Sequence, residues 1–350
     1  MKYSQLGRTG IEVSRVCLGT MTWGKQNSQK DADEQMAFAL DQGVNFIDTA
    51  EMYAVPPTPE TYGKTEAIIG DWLSRNGQRR EEIVLATKIA GNGLSWVRDG
   101  GDVTGEAIVA SIEASLERLQ TDYIDLYQIH WPNRTSPHFA KHWPGRLNFS
   151  NVDSQEQSKQ MLEILQALGE CVKAGKIKHF GLSNETPWGI NEYLRLSDKH
   201  DLPRVASIQN EFSLLHAKDW PYLIESCVRE DVAYLPWSPL AAGALSGKYI
   251  DGARPEGSRW SFAQRNGLFR DTGASNAAIK AYKELAESYG LTASQMALAW
   301  VDQLDGVTST IIGATKMSQL KEDMKAFDMG LNDSLQADIA AIFKQYPVPY

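Results

Sequence analysis

The sequence predicts an α/β fold of the (β/α)8 TIM barrel class, and three observations point to it. The chain has 350 residues, a length at which α/β barrels occur as one domain, although two domains also fit. Eight short β-branched apolar runs alternate with stretches of helical periodicity along nearly the whole chain. An open dinucleotide-binding sheet, the less favoured alternative, carries G-x-G-x-x-G after its first strand, and Gly19–Gly24 has the wrong spacing. We therefore expect one barrel domain over residues 1–350.

The predicted strands are short runs that end at a turn residue before a helical period begins. In chain order they are Val16–Leu18, Val44–Ile47, Ile83–Ala86, Ile124–Ile129, Lys178–Leu182, Val205–Ile208, Val232–Leu235 and Thr308–Ile312. The helical stretches between them include Asp31–Asp41, Lys64–Arg75, Thr104–Leu119, Glu156–Lys173, Trp188–His200 and Ala217–Glu230. Ahead of the first strand, Tyr3–Val13 has the pattern of a hairpin around a glycine-containing turn, which we expect to plug the bottom of the barrel.

Three predicted connections are longer than usual: Gly91–Val103, Pro132–Gln155 and Asp251–Asn276. Loops of this length in a compact domain are typical of binding loops or lids, and mobile insertions are the alternative. All three follow strand segments, on the face where barrels keep their active sites. The sequence therefore predicts a ligand site at that face.

Composition and charge exclude several classes of protein. Hydrophobic residues make up 42% and charged residues 23%, which is typical of a globular chain, and the net charge is −9. This charge disfavours nucleic acid or an anionic membrane surface as the main partner. Cys17, Cys171 and Cys227 are too scattered for a disulfide framework or a cysteine metal site. With no signal-like start and no apolar stretch of about 18 residues, we expect a cytoplasmic protein with reduced core thiols.

Ionisable residues follow three consecutive predicted strands. Asp48 ends the second strand, Lys88 follows the third and His130 follows the fourth. Any one of them alone is explained by the need to end a strand in something polar, but in a barrel these positions converge on one cavity. Tyr53 lies five residues after Asp48, and its phenol has a pKa near ~10 that a neighbouring Lys⁺ would lower. Lys88 with Asp48 behind it could therefore tune Tyr53 to protonate a carbonyl oxygen, unless Tyr53 is an ordinary loop aromatic.

These residues carry a resemblance to the aldo-keto reductase superfamily, which runs from the hairpin to about residue 331. The stretch from Gly43 to Tyr53 is similar to that family's aspartate and tyrosine signature, and Lys88 and His130 complete its catalytic tetrad. The segment Pro236–Gly243 puts Trp237 where many members have Tyr, and so resembles the bacterial branch related to voltage-gated potassium channel β subunits.

The resemblance implies NADPH-dependent reduction of an aldehyde or ketone to an alcohol. Hydride would pass from the nicotinamide to the carbonyl carbon while Tyr53 protonates the oxygen. Lys88 and Asp48 would tune Tyr53, and His130 would orient the carbonyl.

The resemblance also implies the cofactor site, in which Trp237 stacks on the nicotinamide and a turn after the last strand meets the adenosine phosphate at a helix N-terminus. Asp323 departs from the Asn common in the family, which puts its adenine contact in doubt. Three cations, Lys248, Arg259 and Lys316, predict NADPH over NADH. The implied cofactor residues are Gly19, Thr20, Met21, Asp48, Ser183, Asn184, Gln209, Trp237, Ser238, Pro239, Leu240, Ala241, Gly243, Lys248, Ser258, Arg259, Gly313, Thr315, Lys316, Gln319, Glu322 and Asp323.

The substrate end is predicted to be aromatic. We expect its mouth to be lined by the loop 132–151 and by Trp23, Met52, Trp131 and Trp143. Aromatic walls suit an aldehyde or ketone with an apolar or ring-bearing tail. His138 and His142 have the spacing of a metal pair, but no carboxylate completes a site, and we expect no metal.

Two other functions stay open from the sequence. Lys88 at a strand end could form a Schiff base in an aldolase. Alternatively, the chain could be a cofactor-binding regulatory subunit of a membrane channel, with a tetrad that hardly turns over. The physiological substrate, the direction of the reaction and the oligomeric state, including a homo-oligomer, are not determined by the sequence.

Overall fold

The computed structural model describes residues 1–261 and 268–350. Its strands, in chain order, are β1 Tyr3–Gln5, β2 Glu12–Ser14, β3 Val16–Gly19, β4 Phe46–Asp48, β5 Val84–Ile89, β6 Ile124–Ile129, β7 Ile177–Ser183, β8 Ser207–Glu211, β9 Ala233–Trp237 and β10 Thr310–Ile312. Its helices are α1 Gln29–Asp41, α2 Lys64–Arg75, α3 Gly105–Leu119, α4 Ser154–Lys173, α5 Pro187–His200, α6 Tyr222–Glu230, α7 Gly273–Ser288, α8 Ala293–Gln303, α9 Met317–Lys325 and α10 Asp333–Gln345.

Eight parallel strands form a nearly closed barrel with the helices around it. The strands lie in the order β10-β3-β4-β5-β6-β7-β8-β9. Between the two end strands, Tyr234 forms a parallel bridge with Val307, and the amide of Thr308 donates to the carbonyl of Tyr234 over 2.9 Å. The predicted (β/α)8 barrel is confirmed, and the open-sheet alternative is wrong.

The predicted N-terminal hairpin is formed by β1 and β2, and its turn lies against the beginnings of the barrel strands. Leu6 in this turn is fully buried in the same cluster as the barrel-lining side chains. Gly7 has a φ of +57°, and a Cβ there would lie 2.6 Å from the carbonyl oxygen of Asp231 and 2.7 Å from that of Ala206. Only glycine fits so close to backbone in the left-handed region.

Several predicted boundaries are shifted toward polar residues. The strand predicted at Val44–Ile47 is β4, Phe46–Asp48, and the strand predicted at Val205–Ile208 is β8, Ser207–Glu211. These strands continue past the apolar run because their last polar side chains are buried in the barrel mouth. The helix predicted from Ala217 begins only at Tyr222, directly after Pro221, which can start a helix but not continue one.

The three cysteines are free and buried. Among residues 1–261 and 268–350, no helix is both long and apolar enough to cross a membrane.

Candidate active site

The pair of Lys88 and Asp48 forms the floor of the site. Asp48 is the last residue of β4, and Lys88 lies on the neighbouring β5, where its side chain is fully buried. Lys88 Nζ donates to Asp48 Oδ2 over 2.7 Å and to the carbonyl oxygen of Thr49, also over 2.7 Å. The ammonium is thus held by a carboxylate and a backbone dipole, as a buried charge requires.

Tyr53 and His130 lie over this floor. The Tyr53 ring centroid is 5.1 Å from Lys88 Nζ and 5.7 Å from the centroid of the His130 ring, which meets it edge-on at 79°. His130 follows β6, and its amide donates to the carbonyl of Ile89 at the end of β5 over 2.9 Å. The structure therefore brings together all four residues that the sequence singled out.

The pKa shifts at this site follow from burial and from one charge pair. Burial raises the pKa of Tyr53, and Lys88 only partly offsets that rise, so the net shift is upward. Burial alone would lower the pKa of Lys88, but the Asp48 carboxylate reverses the shift and raises it. Burial, and then Lys88, lower the pKa of His130 well below its usual value. At neutral pH the site thus holds a neutral phenol, an ammonium and a neutral imidazole.

Two amides fix the second oxygen of Asp48. Gln209 Nε2 donates to Asp48 Oδ1 over 2.9 Å, and Gln128 Nε2 donates to the same atom over 3.2 Å. Gln209 also donates to Gln128 Oε1 over 3.1 Å. Sequence reasoning missed Gln128, although it lies two residues before His130 on β6 and so points to the same face of the strand.

Ser183 is the last residue of β7, and Asn184 follows it beside this network. Asn184 has a φ of +52°, and its Nδ2 donates to the carbonyl of His130 over 2.9 Å and to Ser183 Oγ over 3.1 Å. Its Oδ1 is buried and has no hydrogen-bond partner among the described residues. Because a buried acceptor is normally satisfied, this oxygen fits an N–H group of a ligand such as a carboxamide.

The loop after β9 turns sharply, beginning at the residue after Trp237. Ser238, Ala241 and Ala242 have φ values of +57°, +49° and +57°, and Ser238 Oγ accepts from the amide of Ala242 over 2.8 Å. A Cβ on Gly243, whose φ is +86°, would lie 3.0 Å from Lys248 Nζ. The segment 237–248, which is predicted to bind the cofactor, therefore forms a series of tight turns. The side chain of Lys248 at its end packs against Gly243.

The turn between β10 and α9 lies next to the end of β3. A Cβ on Gly313 would lie 2.9 Å from the carbonyl oxygen of Gly19, so the two glycines permit this close approach. Gln319 Oε1 accepts from the amides of Thr315 and Lys316, each over 3.2 Å, at the start of the helix.

Asp323 on α9 lies near the loop after β9. Burial, and then Glu322, raise the pKa of Asp323 to about 7, and Lys248 acts in the opposite direction. Lys248 thus lies close enough to act on Asp323, although it comes from the other loop. The structure brings these two predicted cofactor segments together.

Arg259 lies against Met21, another residue of the predicted cofactor site. Its Nη1 is 3.4 Å from Met21 Sδ, and burial, then Arg270, lower the pKa of Arg259 to about 10. Arg259 also acts on the pKa of Tyr53, in the lowering direction. Ser258 Oγ next to it is buried and without a partner among the described residues. Residues 262–267 of the long connection predicted at 251–276 lie outside the described residues.

The predicted substrate residues separate into two groups. Trp131 packs against His130 with ring centroids 5.0 Å apart, and Met52 is half-buried in the loop before Tyr53. Trp23 is fully buried and donates to Gln35, so it lies in the core and presents no surface to the mouth.

Trp143 lies further out on the loop 132–153, where Lys218 sits 5.7 Å above its ring. Sequence reasoning missed Phe139 on the same loop. Its ring centroid is 6.4 Å from that of Trp131 and 6.2 Å from that of Trp237, so Phe139 lies between these two aromatic rings.

The histidine pair that resembled metal ligands is engaged elsewhere. His138 Nε2 lies 3.2 Å from the carbonyl oxygen of Glu185, and His142 Nε2 lies 2.9 Å from that of Tyr350. Burial lowers the pKa of His138 to about 4. Within residues 1–261 and 268–350, no group of three or more His, Cys, Asp or Glu side chains could hold a metal ion.

A barrel in which an Asp, a Lys and a His at strand ends lie together with a Tyr of the loop after β4 has the construction of a carbonyl oxidoreductase. Residues 15–344 match the model of the Aldo/keto reductase family. The chain is 42% identical to Protein tas of Escherichia coli over 353 aligned positions, which cover 100% of this chain and 99% of that protein. It is 33% identical to the uncharacterized oxidoreductase YrpG of Bacillus subtilis, with 98% and 96% covered.

A third relative is a probable voltage-gated potassium channel subunit beta of Arabidopsis thaliana, 30% identical with 94% of this chain and 92% of that protein covered. The chain therefore belongs to the aldo/keto reductase family, and the resemblance that the sequence carries is confirmed. Membership supports an oxidoreductase that reduces carbonyl compounds.

Proposed function

We propose that this protein is a cytoplasmic NADPH-dependent reductase that converts an aldehyde or ketone into an alcohol, with Tyr53 as the general acid. One observation carries the proposal: Tyr53 lies 5.1 Å from an ammonium that is buried, paired with Asp48 and raised in pKa. A neutral phenol beside a fixed positive charge can give up its proton at the moment when a carbonyl oxygen becomes negative.

The residues present fit a dinucleotide. Asn184 Oδ1, which has no hydrogen-bond partner among the described residues, offers an acceptor for the carboxamide, and the half-buried Trp237 offers a flat aromatic face. Ser258 Oγ is likewise buried and without a partner among the described residues, and its hydroxyl could donate a hydrogen bond to a phosphate oxygen. When bound, the reduced nicotinamide supplies the hydride.

The chain's own residues would handle the proton. Tyr53 releases its hydroxyl proton to the substrate oxygen, and the phenolate that remains is stabilised by Lys88. Asp48 keeps Lys88 charged, and the amides of Gln128 and Gln209 hold Asp48 in place. Neutral His130 can present one N–H to the carbonyl oxygen without competing for the proton, since its pKa is well below neutrality.

We further propose that NADPH is preferred over NADH. Lys248, Arg259 and Lys316 are cations in the segments assigned to the dinucleotide, within a chain of net charge −9. A charge-assisted hydrogen bond to the 2′-phosphate is worth roughly 1.5 to 3 kcal/mol, or about 10 to 100-fold in affinity. Titration of the wild type and of Arg259→Ala with both dinucleotides, followed by tryptophan quenching, tests this. Equal affinity for both in the wild type would contradict it.

The aldolase alternative is disfavoured by the state of Lys88. A Schiff base requires a neutral amine, whereas Lys88 has a raised pKa and already donates to Asp48 and to the Thr49 carbonyl. The direct test measures the loss of NADPH absorbance with a panel of simple aldehydes and quinones, alongside borohydride trapping of any Schiff base. Turnover without a covalent adduct is expected. A trapped adduct, or cofactor binding without turnover, would overturn the proposal.

A further inference from the structure

Glu51 is a buried carboxylate in the loop that carries Tyr53, and the catalytic scheme above does not use it. Its side chain is completely buried, two residues before Tyr53. Oε1 accepts from the amide of Ala90 over 2.7 Å and from Arg98 Nη1 over 2.8 Å, and Oε2 accepts from the Tyr62 hydroxyl over 2.9 Å. A carboxylate held by three donors from three different segments is a fixed point in the structure.

The backbone of Glu51 is tied to the same places. Its amide donates to the carbonyl of Lys88 over 3.1 Å, and its carbonyl accepts from the amide of Gly63 over 2.7 Å. Side chain and backbone together join the catalytic loop to the end of β5, which carries Lys88, and to the start of α2.

Arg98 connects this network to helix α3. Besides Glu51, it donates to Ser111 Oγ of α3 over 3.0 Å and to the carbonyl of Ala90. The connection after β5 is therefore held to α3 and to the catalytic loop by one guanidinium. Because Glu51 is fully buried, removing its charge would leave the Arg98 guanidinium without its ion-pair partner and loosen these contacts.

The position of Tyr53 depends on this network. The loop 48–53 has two anchored carboxylates: Asp48 is fixed by Lys88, and Glu51 is fixed by Ala90 and Arg98. The amide of Tyr53 donates to the carbonyl of Ala50 over 3.1 Å, so the turn that presents the phenol lies directly around Glu51. A displacement of about 1 Å at a reacting group can cost on the order of 10²-fold in rate.

We propose that Glu51 is a positioning residue for Tyr53, whose carboxylate fixes the catalytic loop against the end of β5 and so keeps the phenol beside Lys88. Glu51 has no exposed surface, so it acts through the loop and not on the substrate. The inference rests on the proposed role of Tyr53 as general acid.

Asp125 offers a matched control. It too is a buried carboxylate held by three donors: the backbone amide of Leu85 in β5 over 3.0 Å, Arg80 Nη2 over 2.8 Å and Lys178 Nζ over 2.8 Å. Leu85 lies near the start of β5, whereas Ala90 follows its end. Substitution of Asp125 should therefore disturb the fold to a similar degree without touching the Tyr53 loop.

The experiment compares Glu51→Gln, Glu51→Ala, Asp125→Asn and Tyr53→Phe in the full chain. For each variant we measure kcat and KM with an aldehyde, the dissociation constant of NADPH, and Tm. We also follow the pH titration of the Tyr53 NMR signal in protein labelled with [¹³Cζ]tyrosine. This signal is assigned by its absence in Tyr53→Phe. Glu51→Gln keeps most hydrogen bonds and loses the charge, so we expect kcat to fall about 10-fold, and by about 100-fold in Glu51→Ala. KM and NADPH affinity should stay within about threefold, and the Tyr53 titration should shift.

The controls separate the possible failures. Asp125→Asn should lower Tm as Glu51→Gln does but keep its kcat and its Tyr53 titration. Folded Glu51 variants with wild-type kcat, or an equal loss of kcat in Asp125→Asn, would overturn the positioning role while Tyr53→Phe remains inactive. If Tyr53→Phe itself retains kcat, the proposed function fails and the inference with it. If Glu51→Ala does not fold, Glu51→Gln decides alone.

Discussion

Two opposing effects set the pKa of Tyr53. Burial raises the pKa of the phenol, and the ammonium of Lys88 lowers it, with burial the larger of the two. Sequence reasoning anticipated the lysine but not the extent of desolvation, because burial is a property of the folded chain. A raised pKa suits a general acid, because the proton stays on the phenolic oxygen of Tyr53 until a nearby substrate oxygen develops negative charge.

Tyr53→Phe tests this role directly, since it keeps the ring and removes the proton. General acid catalysis is worth about 10² to 10⁴ in rate, and we expect at least that loss of kcat. NADPH affinity, followed by tryptophan quenching, should be nearly unchanged. A variant that kept more than a tenth of the wild-type kcat would rule Tyr53 out as the proton donor.

Asp323 predicts a pH dependence of cofactor binding. Its pKa is raised to about 7 by burial and by Glu322, so it is largely protonated below pH 7 and becomes anionic as the pH rises through that value. The new negative charge would face the phosphate that Lys248 is proposed to bind, and NADPH affinity should fall by several-fold, or ~1 kcal/mol, between pH 6 and 8.

Asp323→Asn separates this effect from the titration of the cofactor itself. The 2′-phosphate titrates near ~6 and changes the affinity of the wild type and of the variant alike. Its effect therefore cancels in the ratio of the two affinities at each pH. That ratio should fall with rising pH. A ratio that stays constant from pH 6 to 8 would show that Asp323 does not titrate against the bound phosphate.

At the level of strands and loops, the sequence predicts what local pattern determines. Asp48, Lys88 and His130 could be placed at one end of the barrel because each follows an apolar strand run. The position of Phe139 could not, because it depends on left-handed φ values of +56° at Phe139 and +64° at Ala140, which these residue types do not signal. The position of Arg259 against Met21 likewise depends on contacts between distant loops.

Phe139→Ala tests the contribution of the loop 132–153 to substrate recognition. The ring of Phe139 lies between those of Trp131 and Trp237, and aromatic pairs contribute about 0.5 to 1.5 kcal/mol each. We expect KM for a benzaldehyde-type substrate to rise by about 2 to 12-fold, with a change below about twofold for a short aliphatic aldehyde.

Phe149→Ala is the matched control, since Phe149 belongs to the same loop and is 68% exposed. It should leave KM for both substrates unchanged. Equal effects of the two substitutions, or equal effects of Phe139→Ala on aromatic and aliphatic aldehydes, would mean that Phe139 does not form a substrate wall.

In the whole molecule, the catalytic site and the N-terminal hairpin lie at opposite ends of the barrel. The site occupies the end of the barrel where the strands finish, and the hairpin of β1 and β2 packs against the end where they begin. Gly7 in the hairpin turn is pressed against the carbonyls of Ala206 and Asp231, next to β8 and β9. Damage there should affect the stability of the barrel and leave the geometry of the opposite end intact.

Gly7→Ala and Gly10→Ala test this separation in one hairpin. Both glycines have a positive φ, +57° and +74°, but a Cβ on Gly10 meets nothing within 4 Å, whereas a Cβ on Gly7 collides with two carbonyl oxygens. The left-handed conformation alone should cost Gly10→Ala about 1 to 2 kcal/mol. Gly7→Ala adds overpacking of roughly 1 to 3 kcal/mol, so its urea midpoint should be clearly lower. Both variants should keep wild-type kcat when folded, and a selective loss of kcat in Gly7→Ala would show that the two ends of the barrel are coupled.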